Sequence, residues 1–587
     1  MIEKRDAIRN PLTNLYPVNK IEVIYSSIQR RIDTFNSNSN YPKSNQTNRP
    51  RFSEKDILLI CYGDHIQEPT QSPLKTLGAF LEEHLFDAVN GIHILPFFQY
   101  SSDDGFSVKD YREVSPDFGQ WDDIHKVSKK YNLMVDFVIN HVSAKSEWFQ
   151  NYLNGVDAYS NYFLTVDPKT DLSKVVRPRS TPLLTRYETL RGTEYLWTTF
   201  STDQVDLNFE NPEVLLEMID VLLFYIDQGV NIIRLDAVAY LWKIPGTSCI
   251  NLPQTHQLIK LFRAVIDEVA PGVALVTETN VPHNENISYF GEFIPELNSS
   301  DEAQIVYQFP LAPLILHTFL NGDSAKLNKW IEELPSLPEG SAFLNFTASH
   351  DGIGIRPVEQ ILSTEETQNL ISSVIEHRGK VSTKSNPDGT NSVYELNISW
   401  YDALNNSAVP DDDLDIERFI ASQVIMLSLA GIPGVYLPSL FGARNCISCY
   451  EESGRQRSIN REKYQWSTLN KELENPVSSH SKIFTRYKHI LKIRTSYDAF
   501  NPSSEQRVIY LGSSILSFLR CSQSGERILC LVNISPKKQN VEIPLHSIQA
   551  TGNQAWTDLI SNNVYFAPNN CLYIKLVAYQ SLWLYSK

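Results

Sequence analysis

The feature that most constrains this fold is an alternation of short apolar runs with helical patterns between residues 56 and 437. Eight runs rich in β-branched and aromatic residues have the length of buried strands: 56–61, 91–98, 131–139, 230–238, 272–278, 303–309, 343–347 and 431–437. Helical periodicity fills most of the intervals, at 73–88, 120–130, 212–227, 253–270, 312–333 and 415–429. Eight strand-then-helix units predict an α/β fold, a (β/α)8 TIM barrel.

A doubly wound open sheet is the alternative fold for the same alternation. Such sheets bind dinucleotides through a G-x-G-x-x-G turn after the first strand. The residues after Cys61 contain no turn of this kind. The strand count and the missing glycine-rich turn therefore favour the barrel, and no nicotinamide or other cofactor is expected.

The chain is longer than a bare barrel and divides at changes of pattern. Residues 142–208 and 352–414 are too long for structureless loops, so we predict inserted subdomains after strands 3 and 7. Short alternating segments predict a C-terminal antiparallel β domain at 501–587. Residues 1–50 are predicted to form a helix and a polar linker. The barrel would then comprise 51–141, 209–351 and 415–500.

Composition narrows the partners and the compartment. Lys and Arg number 52 against 68 Asp and Glu, a net charge of −16. This acidity argues against nucleic acid and against an anionic membrane surface as partners. No apolar run of about 18 residues occurs and no signal peptide is visible, so we expect a cytoplasmic protein. The seven cysteines are interpreted as reduced thiols, and the lone C-x-x-C of Cys446 and Cys449 as chance spacing.

Polar residues collect where the predicted strands end. Catalytic residues of a TIM barrel lie at the C-terminal ends of its strands. One polar residue there could be a structural ion pair, but five strands carry them. They are Asp103 and Asp104 after strand 2, Asn140 and His141 after strand 3, Arg234 and Asp236 at strand 4, Glu278 at strand 5, and His350 and Asp351 at strand 7.

Three of these carboxylates suit glycoside chemistry. Retaining enzymes use one carboxylate as nucleophile and a second carboxyl group about 5–5.5 Å away as acid/base. Arg234 is expected to keep Asp236 ionised, as a nucleophile requires. Glu278 must hold a proton and therefore needs a raised pKa. Asp351 and His350 would bind sugar hydroxyls and support the positively charged transition state.

Four segments resemble the signature regions of the α-amylase superfamily. They are DFVINH (136–141), IIRLDAV (232–238), VTET (276–279) and FTASHD (346–351), in the expected order and spacing. The resemblance implies Asp236 as nucleophile, Glu278 as acid/base and Asp351 as transition-state stabiliser. It also implies that His141, Arg234 and His350 contact the donor sugar.

A narrower resemblance is to the sucrose phosphorylase branch of that superfamily. The matching segments are DDGF (103–106), RPRSTPLLT (177–185), YLWTTFSTDQVDLNF (195–209), RLDAVAYLWKIPGTSC (234–249) and GRQRSINR (454–461). The resemblance implies that Asp103 and Arg457 clamp the far side of one glucosyl unit, and that Arg179 and Tyr394 bind phosphate. Further substrate-binding residues within these segments are Phe106, Phe200, Gln204 and Tyr240. The branch generally has no structural calcium, so no metal is expected.

The sequence departs from sucrose phosphorylases on the acceptor side. Thr279–His283 follow the acid/base, and Glu395 follows Tyr394 where those enzymes tend to carry glutamine. At these positions the sequence resembles relatives that phosphorolyse glucosylglycerate or glucosylglycerol. A glycerate carboxylate would require a further cation, for which Arg186, Arg191 and His283 are candidates.

We therefore predict a retaining glycoside phosphorylase that converts a small α-glucoside and inorganic phosphate to α-glucose 1-phosphate. Three alternatives stay open: a sucrose or sucrose 6-phosphate phosphorylase, an α-glucosidase or transglucosidase, and a non-catalytic sugar-binding barrel.

Overall fold

The computed structural model describes residues 4–39, 41, 52–295, 299–338, 340–386, 388–550 and 555–586. Eight parallel strands close into a barrel in which each strand pairs with the next along the chain and the last pairs with the first. The (β/α)8 prediction is confirmed. The strands are β1 Leu58–Cys61, β2 Gly91–Ile94, β3 Asn132–Phe137, β4 Ile232–Leu235, β5 Ala274–Thr277, β6 Ile305–Tyr307, β7 Ala342–Phe346 and β8 Ile432–Tyr436.

Helices surround the barrel and follow the predicted periodicity. Three of them begin with a proline, whose fixed φ suits the first helical position. The predicted helix 312–333 is wrong in one respect, because it ends at Gly322 in a left-handed conformation and a second helix begins after it. The surrounding helices are Pro73–His84, Trp121–Ser128, Pro212–Asp227, Pro253–Val269, Leu311–Asn321, Ala325–Glu333, Asp412–Ser428, Trp466–Glu474 and Ser479–Arg494.

The long connections after β3 and β7 contain secondary structure of their own. The first holds the helix Glu147–Leu153 and the hairpin of Leu184–Thr189 with Gly192–Trp197. The second holds a three-stranded antiparallel sheet of Ile353–Gly354, Asn391–Asn397 and Lys380–Ser385. It also holds the helices Thr364–Glu376 and Trp400–Leu404. We therefore propose that the two connections are inserted subdomains, with the bounds predicted from the sequence.

The N-terminal prediction of a single helix is wrong. Two helices, Lys4–Leu15 and Val18–Asn38, meet at Pro17. Pro17 lacks a backbone N–H and disfavours a helical conformation in the residue before it, so a continuous helix is interrupted here. The pair packs on the barrel helices, with Arg31 bonded to Asp220 at 2.9 Å. The predicted linker begins inside the second helix, and most of its remainder lies outside the described residues.

The C-terminal region is the predicted antiparallel β domain. Six strands form one sheet and two form a second. The run 571–585, treated as one segment in the sequence, is two strands separated by a turn at 577–580. The sheet is anchored to the barrel through Ser428, whose hydroxyl accepts from Trp583 Nε1 at 2.7 Å and whose carbonyl accepts from Arg520 at 2.9 Å. The strands are Glu505–Val508, Ile515–Cys521, Arg527–Asn533, Gln539–Pro544, Ala555–Asp558, Val564–Phe566, Cys571–Leu576 and Ser581–Ser586.

Two further observations concern membrane and thiol chemistry. Within the described ranges, no helix has an apolar stretch long enough to cross a bilayer. The expectation that all cysteines are free is wrong for one pair, because Cys446, which precedes the short helix Ile447–Ser453, forms a disulfide with Cys449 in its first turn. The other five cysteines are free.

Candidate active site

One pocket at the C-terminal ends of the barrel strands gathers the predicted site residues. All the predicted catalytic, sugar-binding and phosphate-binding residues except Arg234 line this pocket. The pocket is also lined by residues that the sequence analysis did not single out as ligands, among them Asn280, Glu395, Trp400 and Asn460. Residues that are far apart along the chain thus share one cavity, as expected of a TIM-barrel active site.

Arg234 lies beneath the pocket and is fully buried. Its Nη1 donates to Asp236 at 2.7 Å and also to Asp136, while Nε donates to the Tyr307 hydroxyl at 3.1 Å. Asp136 is bonded in turn to His93 at 2.6 Å. Sequence reasoning missed the role of Asp136, although a carboxylate inside the apolar strand β3 was a usable signal.

The backbone of Ala237 connects the candidate nucleophile to the candidate acid/base. Ala237, which follows Asp236, has a φ of 49°, a left-handed conformation that is uncommon outside glycine. Its N–H donates to Glu278 Oε2 at 2.9 Å. A strained residue at this position turns the chain so that the ends of β4 and β5 present their carboxyl groups to the same cavity.

The pKa values of both Asp236 and Glu278 are raised, although a raised pKa was expected from the sequence only for Glu278. Burial raises the pKa of both carboxyl groups, and the charge of Glu278 adds to the effect on Asp236. Arg234 opposes the rise, but it is shared with Asp136, and the pKa of Asp236 reaches about 8. From the sequence, Arg234 is expected to keep Asp236 ionised; its guanidinium acts in that direction, but burial outweighs it. The raised pKa values favour a proton shared between the two carboxyl groups.

Asp351 has the opposite electrostatic environment. Arg457 Nη1 lies 2.6 Å from its carboxylate, and this guanidinium, with help from His350, holds the pKa of Asp351 below its usual range despite burial. Arg457 also makes two bonds to Glu395, at 2.8 and 3.0 Å. Glu395, noted only as a departure from the sucrose phosphorylases, thus fixes the orientation of Arg457. His350 stacks on Phe106 with ring centroids 4.9 Å apart.

The loop after β2 brings Asp103 to the pocket. Asp103 and Asp104 both have positive φ, 55° and 49°. Gly105 must be glycine, since a Cβ there would lie 2.4 Å from the Pro96 carbonyl oxygen. Gln204 donates to Asp103 at 3.2 Å. His141 Nε2 lies 3.0 Å from the Phe106 carbonyl oxygen, which fixes its ring across this loop.

The pocket has two chemically distinct ends. The carboxylate end consists of Asp103, Asp236, Glu278, Asp351 and Arg457. The aromatic end consists of Arg179, Phe200, Tyr240 and Tyr394, with Arg356 outside the lining and next to Tyr240.

At the aromatic end, the Arg179 guanidinium lies 5.7 Å from the Phe200 ring centroid and 5.4 Å from that of Tyr394. Phe200 meets Tyr240 edge to face at 5.5 Å. The two arginines of the RPR segment thus separate: Arg179 enters the pocket, whereas Arg177 bonds the Thr181 carbonyl oxygen. Only one of them is available to a ligand in the cavity.

The three candidate cations for a carboxylate ligand are outside the pocket lining. Arg186 is paired with Glu188 at 2.6 Å and Arg191 with Glu194 at 3.1 Å, both in the hairpin of the first insertion. His283 begins a short helix and packs near Trp330. Their selection from the sequence was wrong, because sequence proximity to the signature segments did not indicate the direction of the side chains.

Known families and proteins are similar to this chain. The family described as alpha amylase, catalytic domain, matches residues 87–339, and maltogenic amylase, C-terminal domain, matches 507–583. Glucosylglycerate phosphorylase of Spirochaeta thermophila is 46% identical over 90% of this chain and 89% of that protein. The enzyme of the same name from Escherichia coli is 40% identical over 90% and 93%. The crystal structure of sucrose 6F-phosphate phosphorylase from Thermoanaerobacter thermosaccharolyticum superposes with a TM-score of 0.71, at 22% identity, over 89% of this chain and 98% of that chain.

The fold and these similarities define the class as α-amylase-type glycoside phosphorylases. Within that class, the chain belongs to the glucosylglycerate phosphorylase family.

Proposed function

We propose that this protein is a retaining phosphorylase of an α-glucosyl glycerate, releasing glycerate and forming α-glucose 1-phosphate. The observation that carries the proposal is the joint presence, in one pocket, of the three carboxylates and the Arg179–Tyr394 pair. Hydrolysis requires only the carboxylates. A guanidinium over an aromatic ring, with no carboxylate neutralising it in the described chain, supports an anionic second substrate.

In the first step, the Asp236 carboxylate attacks the anomeric carbon and the bond to the glycerate oxygen breaks. Glu278 gives its proton to that oxygen, so glycerate leaves with a neutral hydroxyl group. The product is a glucosyl ester of Asp236. Asp351, kept ionised by Arg457, stabilises the positive charge that develops on the sugar ring.

In the second step, a phosphate oxygen attacks the same carbon and the ester bond to Asp236 breaks. The phosphate proton passes to the Glu278 carboxylate, which restores the starting state. Two inversions return the α configuration. Arg179 and Tyr394 hold the phosphate for this attack, while Asp103, His141, Gln204, His350 and Arg457 hold the glucosyl unit.

The shared proton of Asp236 and Glu278 fits this cycle. Burial raises the pKa of both groups and so favours their protonation. A sugar that becomes positively charged at its anomeric carbon favours charge on the nearer carboxylate, Asp236, and leaves the proton on Glu278. Substrate would therefore set the protonation state that the first step needs.

The partners in this proposal are a small α-glucoside and inorganic phosphate, with no nucleic acid or membrane. We also propose a cytoplasmic location, supported by five free thiols; the Cys446–Cys449 disulfide is the exception.

The test is to incubate the purified protein with 2-O-α-glucosylglycerate at rising phosphate concentration and quantify glucose 1-phosphate and free glucose. We expect glucose 1-phosphate as the main product, saturating with phosphate. Free glucose that is independent of phosphate would assign hydrolysis instead. Sucrose in parallel tests the alternative acceptor, fructose, for which we expect little turnover.

A further inference from the structure

Arg356 is a second arginine next to the aromatic end, and no role was predicted for it from the sequence. It begins a 3-10 turn, Arg356–Val358, directly after the strand Ile353–Gly354. Gly352, Ile353 and Gly354 all line the pocket. Arg356 itself is half-buried at the rim of the pocket.

The backbone leading to Arg356 is fixed against both sides of the aromatic end. The Ile355 N–H donates to the Tyr394 carbonyl oxygen at 3.1 Å. A Cβ on Gly354 would lie 2.7 Å from Asn280 Oδ1, so this backbone is pressed against the residue two positions after Glu278. Arg356 is thereby held close to the acid/base and to the candidate phosphate ligand.

The Arg356 guanidinium lies near the Tyr240 hydroxyl, whose pKa it lowers against the larger opposing effect of burial. Arg179 acts on the same hydroxyl through its charge. Burial raises the pKa of Tyr240 to about 12, so this group remains a neutral donor beside both cations. Two guanidinium groups thus converge on one tyrosine at the pocket wall.

These two arginines differ from the other arginines around the pocket. Arg234, Arg457 and Arg461 are each paired with at least one carboxylate. Within the described part of the chain, neither Arg179 nor Arg356 forms an ion pair with a carboxylate. Unneutralised, partly buried guanidinium groups indicate anionic ligands.

One such arginine is enough for a phosphorylase whose leaving group is neutral, because phosphate is then its only anion. Glycerate and phosphate must occupy the same space beyond Glu278, one after the other. A second free arginine therefore adds nothing that phosphate needs, and it favours a leaving alcohol that also carries a negative charge.

We propose that Arg356, together with the Tyr240 hydroxyl, forms a subsite for the carboxylate of the acceptor, a short hydroxy acid. This inference rests on the proposed function for its reaction but concerns a separate binding contact. Arg179 and Tyr394 serve phosphate, and Arg356 selects an acid over a neutral polyol as acceptor.

The test compares Arg356→Met, Arg356→Lys and the control Arg186→Met, which removes an arginine outside the pocket. With glucose 1-phosphate as donor, kcat/KM is measured for glycerate and for glycerol. We expect Arg356→Met to reduce kcat/KM for glycerate about 10- to 100-fold, the effect of one charged hydrogen bond, with less than about a threefold change for glycerol. Arg356→Lys should recover part of the loss.

Equal losses for glycerate and glycerol would overturn the subsite, as would no loss for either. Binding of glycerate alone, measured by calorimetry and by the shift in melting temperature, separates this inference from the proposed function. If the wild type binds glycerate, Arg356→Met does not, and no product forms from glucose 1-phosphate, the proposed reaction fails and the carboxylate subsite stands. If product forms and Arg356→Met still binds glycerate as the wild type does, the subsite fails.

Discussion

Arginines lie at both the carboxylate end and the aromatic end of the pocket. Those at the carboxylate end are paired with carboxylates, and, among the described residues, those at the aromatic end are not. At the carboxylate end, Arg457 is bonded to both Asp351 and Glu395, and Arg234 beneath it to Asp136 and Asp236. At the aromatic end, Arg179 and Arg356 contact rings and a hydroxyl group. The first arrangement orients carboxylates around a neutral sugar. The second leaves positive charge for a ligand.

The difference teaches that the role of an arginine depends on its partners. Paired guanidinium groups act as fixed supports, because their donors are already used by carboxylates. Unpaired ones beside aromatic faces keep their donors and charge, and cation–π contact positions them without neutralising them. An overall charge of −16 is therefore compatible with the local anion site that we propose.

The largest expected effect is at the carboxylate end. Asp236→Asn should lower kcat by about four orders of magnitude or more, since no covalent glucosyl intermediate can form. Glucoside binding should persist, because Asp103, Gln204 and Arg457 are unchanged. Kinetics and calorimetry on the same preparation check this. A variant that keeps near-normal turnover would contradict the assignment of the nucleophile.

At the aromatic end, Arg179→Gln should raise the KM for phosphate about 10- to 100-fold and increase the share of free glucose. The first step should be nearly unaffected, so an initial burst of glycerate should remain. Arg177→Gln, two residues earlier, is the matched control, because its guanidinium bonds a backbone carbonyl oxygen and does not line the pocket. Equal effects of both substitutions would show that the loop, and not the pocket cation, is responsible.

The pH dependence tests the shared proton of Asp236 and Glu278. Because burial raises the pKa of both groups, that of Asp236 to about 8, the proton should persist through neutral pH. We expect kcat/KM to fall about tenfold per pH unit above roughly pH 8, as the pair loses this proton. α-Glucosyl fluoride, whose leaving group needs no acid, should show no such fall. If kcat/KM for the fluoride also falls above pH 8, the result would argue against Glu278 as the acid.

The smallest expected effect is on stability. A carboxyl group whose pKa is raised on folding makes its stabilising contribution at pH below its unfolded pKa, near 4, and loses it as pH rises through the folded value, about 8 for Asp236. Asp236→Asn removes this cost, so it should raise the melting temperature by a few degrees at pH 8 and by less at pH 5. Thermal melts at both pH values measure it. A lower melting temperature at pH 8 would show that the Arg234 contact outweighs burial.

Much of the fold could be predicted because the signal is local. Period and run length located all eight barrel strands, since strands buried on both faces must be continuously apolar. The break at Gly322 and the two N-terminal helices were missed, because helical periodicity continues across a short interruption.

The site residues were found to the extent that they lie in segments with a recognisable pattern. Asp136, Glu395 and Arg356 were not assigned functions. Asp136 and Glu395 act through partners that are far away along the chain. Arg356 differs from surface arginines only in the direction of its side chain, which the sequence does not show. Arg186 and Arg191 were selected for the same reason that Arg356 was overlooked: the sequence does not indicate which guanidinium groups are already paired.

The sequence by itself determined the barrel, the order of its strands and the residues at their C-terminal ends, because these follow from hydrophobic period and from the amylase-type segments. Only the tertiary structure decided how charge is distributed among them. Neutralisation depends on distances of 3 Å between residues separated by tens to hundreds of positions, as between Arg457 and Asp351. That distribution distinguishes an end built for a neutral sugar from an end built for anions.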